Sequence, residues 1–564
     1  MNFNELPLKV PNLKKLTKFF VDALNELKAA NDAETVTKIM KKVNKYGNDL
    51  GTDMTVIQIR YSIDTTNEEY AKANDKLNEI GPQLSALIIP IEAEILAKPF
   101  RKELEEIWGS FLFKKYENDV SGFDPKLIPF LIEESKLVSE YDAILGGAKI
   151  EFRGNVYNLS QMSKFAQSLD RDERIEASRA SEKFFADNDE KIGNIYDRLV
   201  HIRTEMAKSM GYENFVDYGY KKLGRVDYNA EMVAKYRDQI FESVVPVYKK
   251  LVKKQTERIG IKNPLFCDLN LSFKSGNPTP IGDSKFLVEQ ATKMYDEMSV
   301  ESGEFFKFMK ESNLLSLEAQ PGKRPGGYMT YLPKYKAPFI FSNFNGTSGD
   351  VDVLTHEVGH AFQGYLSRNI KVPEYHMPTL EACEIHSMSM EFLAWPWMNL
   401  FFGDDAKKYQ FSHLENAIRF LPYGVAIDEF QHVVYANPDL SHAERCAEWR
   451  RIEKKYLPLK NYKGFEHYNK GGWWMKQSHL FGAPFYYIDY TLAQVCAFQF
   501  HNENRKNHEK TWKKYIKLCK MGGKYPFLTL LEKAGLRNPF EDGNVSKAIR
   551  PLVKLLNTFD DKNM

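Results

Sequence analysis

The pentapeptide HEVGH at positions 356–360 is the strongest chemical signal in the sequence. One turn of an α-helix takes about 3.6 residues, so His356 and His360 would project from the same helix face and could bind one metal ion together. The surrounding stretch 351–365 has a composition compatible with a helix. Glu357 would lie beside the ion, where a carboxylate can polarise a metal-bound water without taking a coordination position. The pattern predicts a zinc site that activates water.

A third protein ligand must complete this site. A catalytic zinc usually takes three protein ligands and leaves a fourth position for water. The pattern HExxHxxGxxH is excluded, because Gln363 and Leu366 stand where it needs Gly and His. Other nitrogen and oxygen donors follow the second histidine closely, namely Glu374, His376, Glu381, Glu384, His386 and Glu391. The residues alone leave the choice among them open.

Residues 384–391, EIHSMSME, resemble a helix of the thimet oligopeptidase family, and in particular of its oligoendopeptidase F and Pz-peptidase group. In that family a helix with the pattern E-x-x-S-x-x-x-E follows the HExxH helix. The resemblance implies that Glu384 is the third ligand of one zinc ion per chain, and that Glu391 is an outer or structural carboxylate. We expect Glu381 to be a solvated helix residue and His386 to be a hydrogen-bonded core histidine.

The resemblance extends to other parts of the chain. The sequence SLDRDER at 168–174 resembles a segment that precedes the catalytic half of oligoendopeptidase F-type proteins. The sequence FSNFNGT at 341–347 is similar to the family's substrate-edge strand. This similarity implies substrate contacts at Phe341, Asn343 and Gly346.

A phenol-rich segment at 479–490, HLFGAPFYYIDY, resembles the family's substrate loop and helix, in which a histidine is followed by spaced tyrosines. Attack on a peptide carbonyl develops an oxyanion, and a positioned hydrogen-bond donor stabilises it. The resemblance implies that Tyr490 is this donor, that His479 is a further catalytic residue contacting the substrate, and that Tyr487 binds substrate. The family's earliest tyrosine has no counterpart here, because Ala-Pro-Phe stands in its place. We expect Tyr486 to be a core residue.

The elements that must position these residues are mainly helices, with short strands between them. Apolar residues recur at helical spacing through most of the first third of the chain. A turn triplet at 153–155 predicts a short hairpin over 149–159. Aromatic stretches at 327–332 and 339–344 predict a second hairpin immediately before HExxH. We also expect one long helix from about 230 to 260, kinked at Pro246.

These patterns and the resemblance together predict a mainly α, zincin-like fold. Two helical lobes would enclose a substrate channel, with a small β-sheet beside the HExxH helix. At 564 residues the chain is long enough for more than one cooperative unit. We place a soft boundary between an N-terminal helical lobe, 1–190, and a catalytic metallopeptidase domain, 191–564.

The composition limits which classes of binding partner and which cellular compartment we expect. The 78 basic and 76 acidic residues nearly cancel, which argues against binding to nucleic acid or to an anionic membrane. The five cysteines form no CxxC pair and fit a reducing compartment. The N-terminus lacks the apolar core of a secretory signal, and no apolar stretch approaches the roughly 20 residues that span a bilayer. We therefore expect a cytoplasmic protein, and a homo-oligomer is compatible with the sequence.

The predicted function is zinc-dependent cleavage of internal bonds in short, unstructured oligopeptides, with Glu357 as general base. A strand at 339–344, on the edge of its sheet, would hold an extended peptide by backbone hydrogen bonds and would exclude folded proteins. A zinc aminopeptidase is one alternative, although no second acidic motif for a free N-terminus is visible. A non-catalytic peptide-binding zinc protein is the other, and the intact Glu357 argues against it.

Overall fold

The computed structural model describes all 564 residues, and helices dominate it. Six helices precede the first strand: α1 (Leu13–Ala29), α2 (Ala33–Ile63), α3 (Glu68–Leu96), α4 (Arg101–Trp108), α5 (Ser110–Gly122) and α6 (Ile128–Gly146). The capping residues follow ordinary helix chemistry. The carboxylate of Asp32, for example, accepts a 2.7 Å hydrogen bond from the backbone N–H of Thr35 at the start of α2.

Two short strands, β1 (Ile150–Phe152) and β2 (Asn155–Tyr157), form the first predicted hairpin. Arg153 and Gly154 between them both have positive φ, as a two-residue turn of this kind requires. Eight helices follow: α7 (Leu159–Phe165), α8 (Arg171–Asp187), α9 (Asp189–Ser209), α10 (Phe215–Lys222), α11 (Ala230–Ser243), α12 (Val245–Ile259), α13 (Ser284–Met298) and α14 (Val300–Glu311).

The expected long kinked helix around Pro246 is wrong. The chain breaks at Val244 into α11 and α12, and Pro246 occupies the first turn of α12. Proline is well accommodated there, because the backbone N–H of the first turn has no partner within the helix.

A three-stranded sheet lies directly before the helix that carries HExxH. Its strands are β3 (Leu315–Glu318), β4 (Tyr328–Leu332) and β5 (Ala337–Phe344), in the order β3-β5-β4. β5 pairs antiparallel with β4 and parallel with β3. The prediction that 339–344 forms an edge strand is therefore wrong, because β5 is the central strand and β4 is an edge.

Eleven helices complete the chain: α15 (Gly349–Ser367), α16 (Leu380–Leu393), α17 (Asn399–Phe402), α18 (Ala406–Ala436), α19 (His442–Tyr456), α20 (Glu466–Lys470), α21 (Ser478–Gly482), α22 (Tyr487–Asn504), α23 (His508–Met521), α24 (Phe527–Lys533) and α25 (Asn544–Leu556). α15 packs against β5, and α16 lies between α15 and α22.

Two separate apolar cores support the two helical lobes. A cluster of 20 buried residues is formed almost entirely by α1 to α5. A cluster of 106 buried residues holds most of the remaining chain together and includes apolar residues of the sheet, α15, α16 and α22. The larger core contains residues on both sides of position 190, and the domain boundary stays a prediction.

Tyr375 connects the two lobes. It lies in the segment between α15 and α16, yet its ring packs in the core of the N-terminal helices. Its hydroxyl accepts a 2.7 Å hydrogen bond from the N–H of Leu112 and donates one of 3.2 Å to the carbonyl of Gly109. The N-terminal lobe thus holds the connection between α15 and α16.

No single helix has the length and apolar character needed to cross a membrane. The bent pair α3 and α4, whose axes differ by 111°, meets the requirement only by length and composition. All five cysteines are buried free thiols.

Candidate metal centre and substrate cleft

α15 and α16 bring the three predicted metal ligands together. His356 and His360 lie one turn apart on α15, and Glu384 lies on α16. Glu384 Oε2 is 3.1 Å from His356 Nε2 and 3.3 Å from His360 Nε2. Ligand atoms at bonds of about 2.0–2.1 Å around a tetrahedral zinc would be separated by about 3.3 Å. The arrangement therefore fits a zinc ion.

Gly359 allows α15 and α16 to approach closely enough for this spacing. A β-carbon added at Gly359 would lie 2.6 Å from the Cα of Ser387 and 2.7 Å from the carbonyl oxygen of His386. Both neighbours are backbone atoms of α16, so a side chain at this position would force the two helices apart. The glycine inside HEVGH is thus explained by packing between the ligand helices.

Glu391 binds the ring nitrogen of His356 that points away from the predicted metal. The Nδ1–H of His356 donates to Glu391 Oε1 at 2.7 Å, which leaves the Nε2 lone pair of His356 free for a metal. His413 Nε2 lies 2.8 Å from the other oxygen of Glu391, and Trp395 donates to His413 Nδ1 at 3.2 Å. Burial alone would raise the pKa of Glu391, but the two histidine hydrogen bonds lower it below its ordinary value.

Two hydroxyl groups hold Glu384. Ser387 donates to Glu384 Oε2 at 2.9 Å, and the hydroxyl of Tyr486 donates to Oε1. The expectation that Tyr486 is simply a core residue is wrong, because its half-buried side chain contacts the predicted ligand. A tyrosine beside two other aromatic residues gave no sequence signal that would single out this contact.

Glu357 lies beside the three ligands and is not one of them. Its side chain is buried, and its Oε2 has no hydrogen-bond partner within the protein. Burial raises the pKa of Glu357, while the neighbouring His356 and His360 act in the opposite direction. Its Oε1 faces Gly327, the residue immediately before β4, since a β-carbon added to Gly327 would lie 3.4 Å away. A free carboxylate oxygen beside a metal site can accept a proton.

The remaining polar candidates lie outside the ligand set. His386 is fully buried, its Nδ1 donates to the carbonyl of Ala382 at 2.7 Å, and burial lowers its pKa to about 4, so its predicted core position is confirmed. Glu381 is only 2% exposed, so the expectation of a solvated residue is wrong. Glu374 and His376 lie in the segment between α15 and α16, where Tyr116 donates to Glu374 at 3.1 Å.

His479 on α21 and Tyr490 on α22 face each other. His479 Nε2 lies 3.0 Å from the hydroxyl oxygen of Tyr490. The amide of Gln477 donates to His479 Nδ1 at 2.8 Å, and the hydroxyl of Tyr423 donates to the amide oxygen of Gln477 at 3.0 Å. These hydrogen bonds place the single proton of neutral His479 on Nε2. The Nε2–H group then donates to the hydroxyl oxygen of Tyr490. The O–H of Tyr490 then remains available for another acceptor.

The neutral state of His479 follows from its surroundings. Burial lowers its pKa to about 4, against a smaller opposing effect of Glu384. Tyr487 packs edge-on against the ring of His479 with centroids 5.0 Å apart. Gln477 and Tyr423 were not predicted from the sequence, because neither belongs to a recognisable catalytic pattern.

Phe485 fixes the turn that leads into α22. It has a φ of 65°, which is unusual for a residue with a side chain, and its ring is fully buried in the main core. Its N–H donates to Gln431 at 2.6 Å, and its carbonyl accepts from Arg225 at 2.6 Å. Phe485 thus turns inward at the place where the resembled family has its earliest tyrosine.

Three residues in and after β5 were predicted to contact the substrate, and their surroundings differ. Phe341 is fully buried in the central strand, where its ring stacks on Tyr328 with centroids 4.7 Å apart, so its side chain has no access to a substrate. The amide of Asn343 donates to two carbonyls of the preceding loop, those of Arg324 and Gly326, both at 2.8 Å. Gly346 donates its N–H to Asp350 at 2.8 Å and has open space beside its Cα.

Profiles of known protein families match two parts of the chain. The profile of the peptidase M3 N-terminal domain matches residues 3–123, and that of peptidase family M3 matches residues 287–548. The solved structure of Pz peptidase A with inhibitor 2 is 48% identical, with a TM-score of 0.99 and coverage of 100% of both chains. A candidate oligoendopeptidase F from Bacillus anthracis is 46% identical, with a TM-score of 0.94 over 100% of this chain and 99% of the other.

More distant similarity extends to two curated proteins. An oligoendopeptidase F homologue from Mycoplasma genitalium is 21% identical over 342 residues, which are 56% of this chain and 53% of that protein. A homologue from Borreliella burgdorferi is 24% identical over 251 residues, or 42% of each chain. The chain thus matches about half the length, or less, of these two relatives.

Proposed function

The chain belongs to peptidase family M3, and on this premise we propose that it is a zinc-dependent endopeptidase that cleaves internal bonds of short, unstructured oligopeptides. One observation carries the metal part of this proposal. Glu384 Oε2 lies 3.1 Å and 3.3 Å from the Nε2 atoms of His356 and His360, at the separations that zinc ligands have. A zinc ion bound by these residues supplies a Lewis acid that activates water and polarises the substrate carbonyl.

Glu357 is the proposed general base. Its unpartnered Oε2 accepts the proton of the attacking water and later delivers it to the leaving amine. The buried setting suits this role, because burial raises the pKa of Glu357 toward the range in which a carboxyl group can both accept and release a proton.

Tyr490 is the proposed donor to the oxyanion. Its oxygen accepts the Nε2–H of His479, so its own O–H can point toward the carbonyl oxygen of the substrate. A donor that is already oriented stabilises the developing charge without reorganisation during the reaction. Tyr487, which packs on His479, belongs to the substrate wall in this proposal.

β4 is the proposed support for the substrate backbone. As an edge strand, it can offer backbone groups to an extended chain. Gly327, immediately before it, has no side chain to separate such a chain from Glu357. A folded protein presents few extended segments of this kind, which supports a preference for unstructured peptides.

A peptide library incubated with the zinc-loaded protein, with and without a chelator, tests this function. We expect internal cleavage of N-terminally blocked peptides of about ten residues, loss of cleavage with chelator, and little cleavage of a folded protein. The matched variant Glu357→Gln should retain one zinc per chain and lose turnover by about 10²–10⁴-fold.

The two alternatives give different results in the same assay. An aminopeptidase would release single residues from free N-termini and would leave blocked peptides intact. A non-catalytic zinc protein would cleave no peptide at any metal concentration. The cytoplasm remains the proposed location, and fractionation of cells of the source organism would test it.

A further inference from the structure

A polar cavity adjoins the proposed active site. Its volume is about 620 Å³, and its wall includes Asp352, Trp473 and Lys476. Asp352 lies one helical turn before His356, and Lys476 lies three residues before His479. The cavity therefore lies beside the first turn of the ligand helix and beside the segment that leads into α21, the helix that carries His479. A peptide bound at the metal centre could reach into it.

The Lys476 ammonium has no carboxylate partner in this cavity. Lys476 is the only cation among the lining residues, and Asp352 is the only anion. Asp352 already accepts a hydrogen bond from the hydroxyl of Tyr409 at 2.5 Å. No carboxylate lies within 4.0 Å of the Lys476 ammonium, whereas the neighbouring Lys460 lies 3.1 Å from Glu453. Lys476 therefore forms no direct ion pair within the protein.

Aromatic rings hold the Lys476 ammonium in place. Its Nζ lies 4.1 Å from the ring centroid of Trp473 and 5.7 Å from that of Tyr468, within the range of cation–π attraction. Its side chain is exposed to solvent within the cavity. Partial loss of hydration beside the surrounding protein atoms, with a further contribution from Lys460, lowers the pKa of Lys476 to about 8, so it is mostly protonated at pH 7.

We propose that Lys476 anchors a carboxylate of the peptide substrate, supplied by its C-terminus or by an acidic side chain. This inference rests on the proposed peptidase function and adds a preferred substrate chemistry to it. An ammonium on the wall of a cavity that has no carboxylate partner of its own is available to a ligand carboxylate, and the concave wall limits the water that screens the pair. Neutral hydroxyl and amide groups of the wall, such as Ser160, Asn277 and Asn416, can contact the uncharged remainder of the peptide.

Binding to the Glu357→Gln variant tests the anchor without turnover. Three kinds of N-acetylated fluorescent peptide derive from one parent sequence that lacks acidic residues. The first ends in a free carboxylate, the second ends in a carboxamide, and the third is a set of carboxamide peptides with one glutamate scanned along the chain. Fluorescence anisotropy gives Kd for each. We expect one carboxylate peptide to bind at least about tenfold more tightly than the plain carboxamide.

Substitutions at position 476 then identify the anchor. Lys476→Met in the Glu357→Gln background should abolish the difference between carboxylate and carboxamide peptides, and Lys476→Arg should retain it. The affinity for the plain carboxamide peptide should stay unchanged in both. Lys463→Met, which removes an exposed lysine outside the cavity, controls for net charge and should keep the preference.

The outcomes separate the anchor from the peptidase function. Preference for the free C-terminus identifies the α-carboxylate, and preference for one glutamate position identifies an acidic side chain. Equal affinities for all peptides, or an unchanged preference in Lys476→Met, would overturn the anchor. Failure of the peptidase function would appear separately, as absence of hydrolysis by the zinc-loaded wild-type protein.

Discussion

His413 holds Glu391 in place, with its Nε2 2.8 Å from Glu391 Oε2, while the other oxygen of that carboxylate accepts from His356. The orientation of a predicted zinc ligand thus depends on a histidine from α18, a helix that contributes no ligand. Outer contacts of this kind orient ligand rings and tune metal affinity.

We expect His413→Phe to weaken zinc binding by about 10- to 100-fold, because the ring fills the same space but cannot donate to Glu391. Competition with a chromophoric chelator measures the zinc Kd without any activity assay. His386→Phe is the matched control, since it removes a buried imidazole that hydrogen-bonds to the carbonyl of Ala382 and to neither Glu391 nor His356. Equal zinc affinities in the two variants would show that the contact between His413 and Glu391 is only structural.

The choice between Glu384 and Glu381 can be tested by metal content. Glu384→Ala should lose zinc during dialysis, because one of three protein ligands is removed. Glu381→Gln should retain about one zinc per chain, since that side chain is outside the ligand set. A zinc-free Glu381→Gln protein that remains folded by circular dichroism would contradict the ligand assignment.

Gly359→Ala should damage the metal site through packing. The added methyl group would lie 2.6 Å from the Cα of Ser387, so α15 and α16 must separate. We expect a loss of about 1–3 kcal/mol in the free energy of unfolding of the apo protein, together with weaker zinc binding. Gly364→Ala on the same helix is the control, because its nearest contacts are side-chain atoms at 3.6 Å or more. Similar stabilities of the two variants would argue against close packing at Gly359.

Tyr490→Phe should lower kcat and kcat/KM together by about 10²–10³-fold, as expected when an interaction made only in the transition state is lost. Gln477→Leu should act through the same hydroxyl, because it removes the donor that fixes the proton position of His479. The double variant should then lose less than the sum of the two effects in free energy. A raised KM with unchanged kcat in Tyr490→Phe would reassign Tyr490 to substrate binding.

Local sequence patterns predicted the ligand helices well. Histidines four residues apart define a face of α15 wherever that helix packs, so the pairing of His356 and His360 needs no tertiary information. Glu384 required the family resemblance, because nothing in its local pattern separates it from Glu381. In the fold Glu384 lies beside His356 and His360 of α15, whereas Glu381 is buried without a histidine partner.

Long-range pairing explains the main errors. β5 was expected at the sheet edge because its hairpin partner is adjacent in sequence, whereas β3 reaches it across a crossover from the four-residue segment LSLE. Such a short strand carries little periodicity. Tyr486 was misjudged for a related reason. The direction of its hydroxyl depends on the positive φ of Phe485, which is stabilised by Arg225 from the loop after α10 and by Gln431 of α18.

The position of Tyr375 bears on whether the chain can be divided. The two profile matches, 3–123 and 287–548, suggest exchangeable modules, but Tyr375 comes from the second and is packed in the first. A fragment without the N-terminal segment would expose this ring and release the connection between α15 and α16. Chimeras between relatives should therefore succeed only when the backbone around Gly109 and Leu112 is transferred together with the tyrosine that it binds.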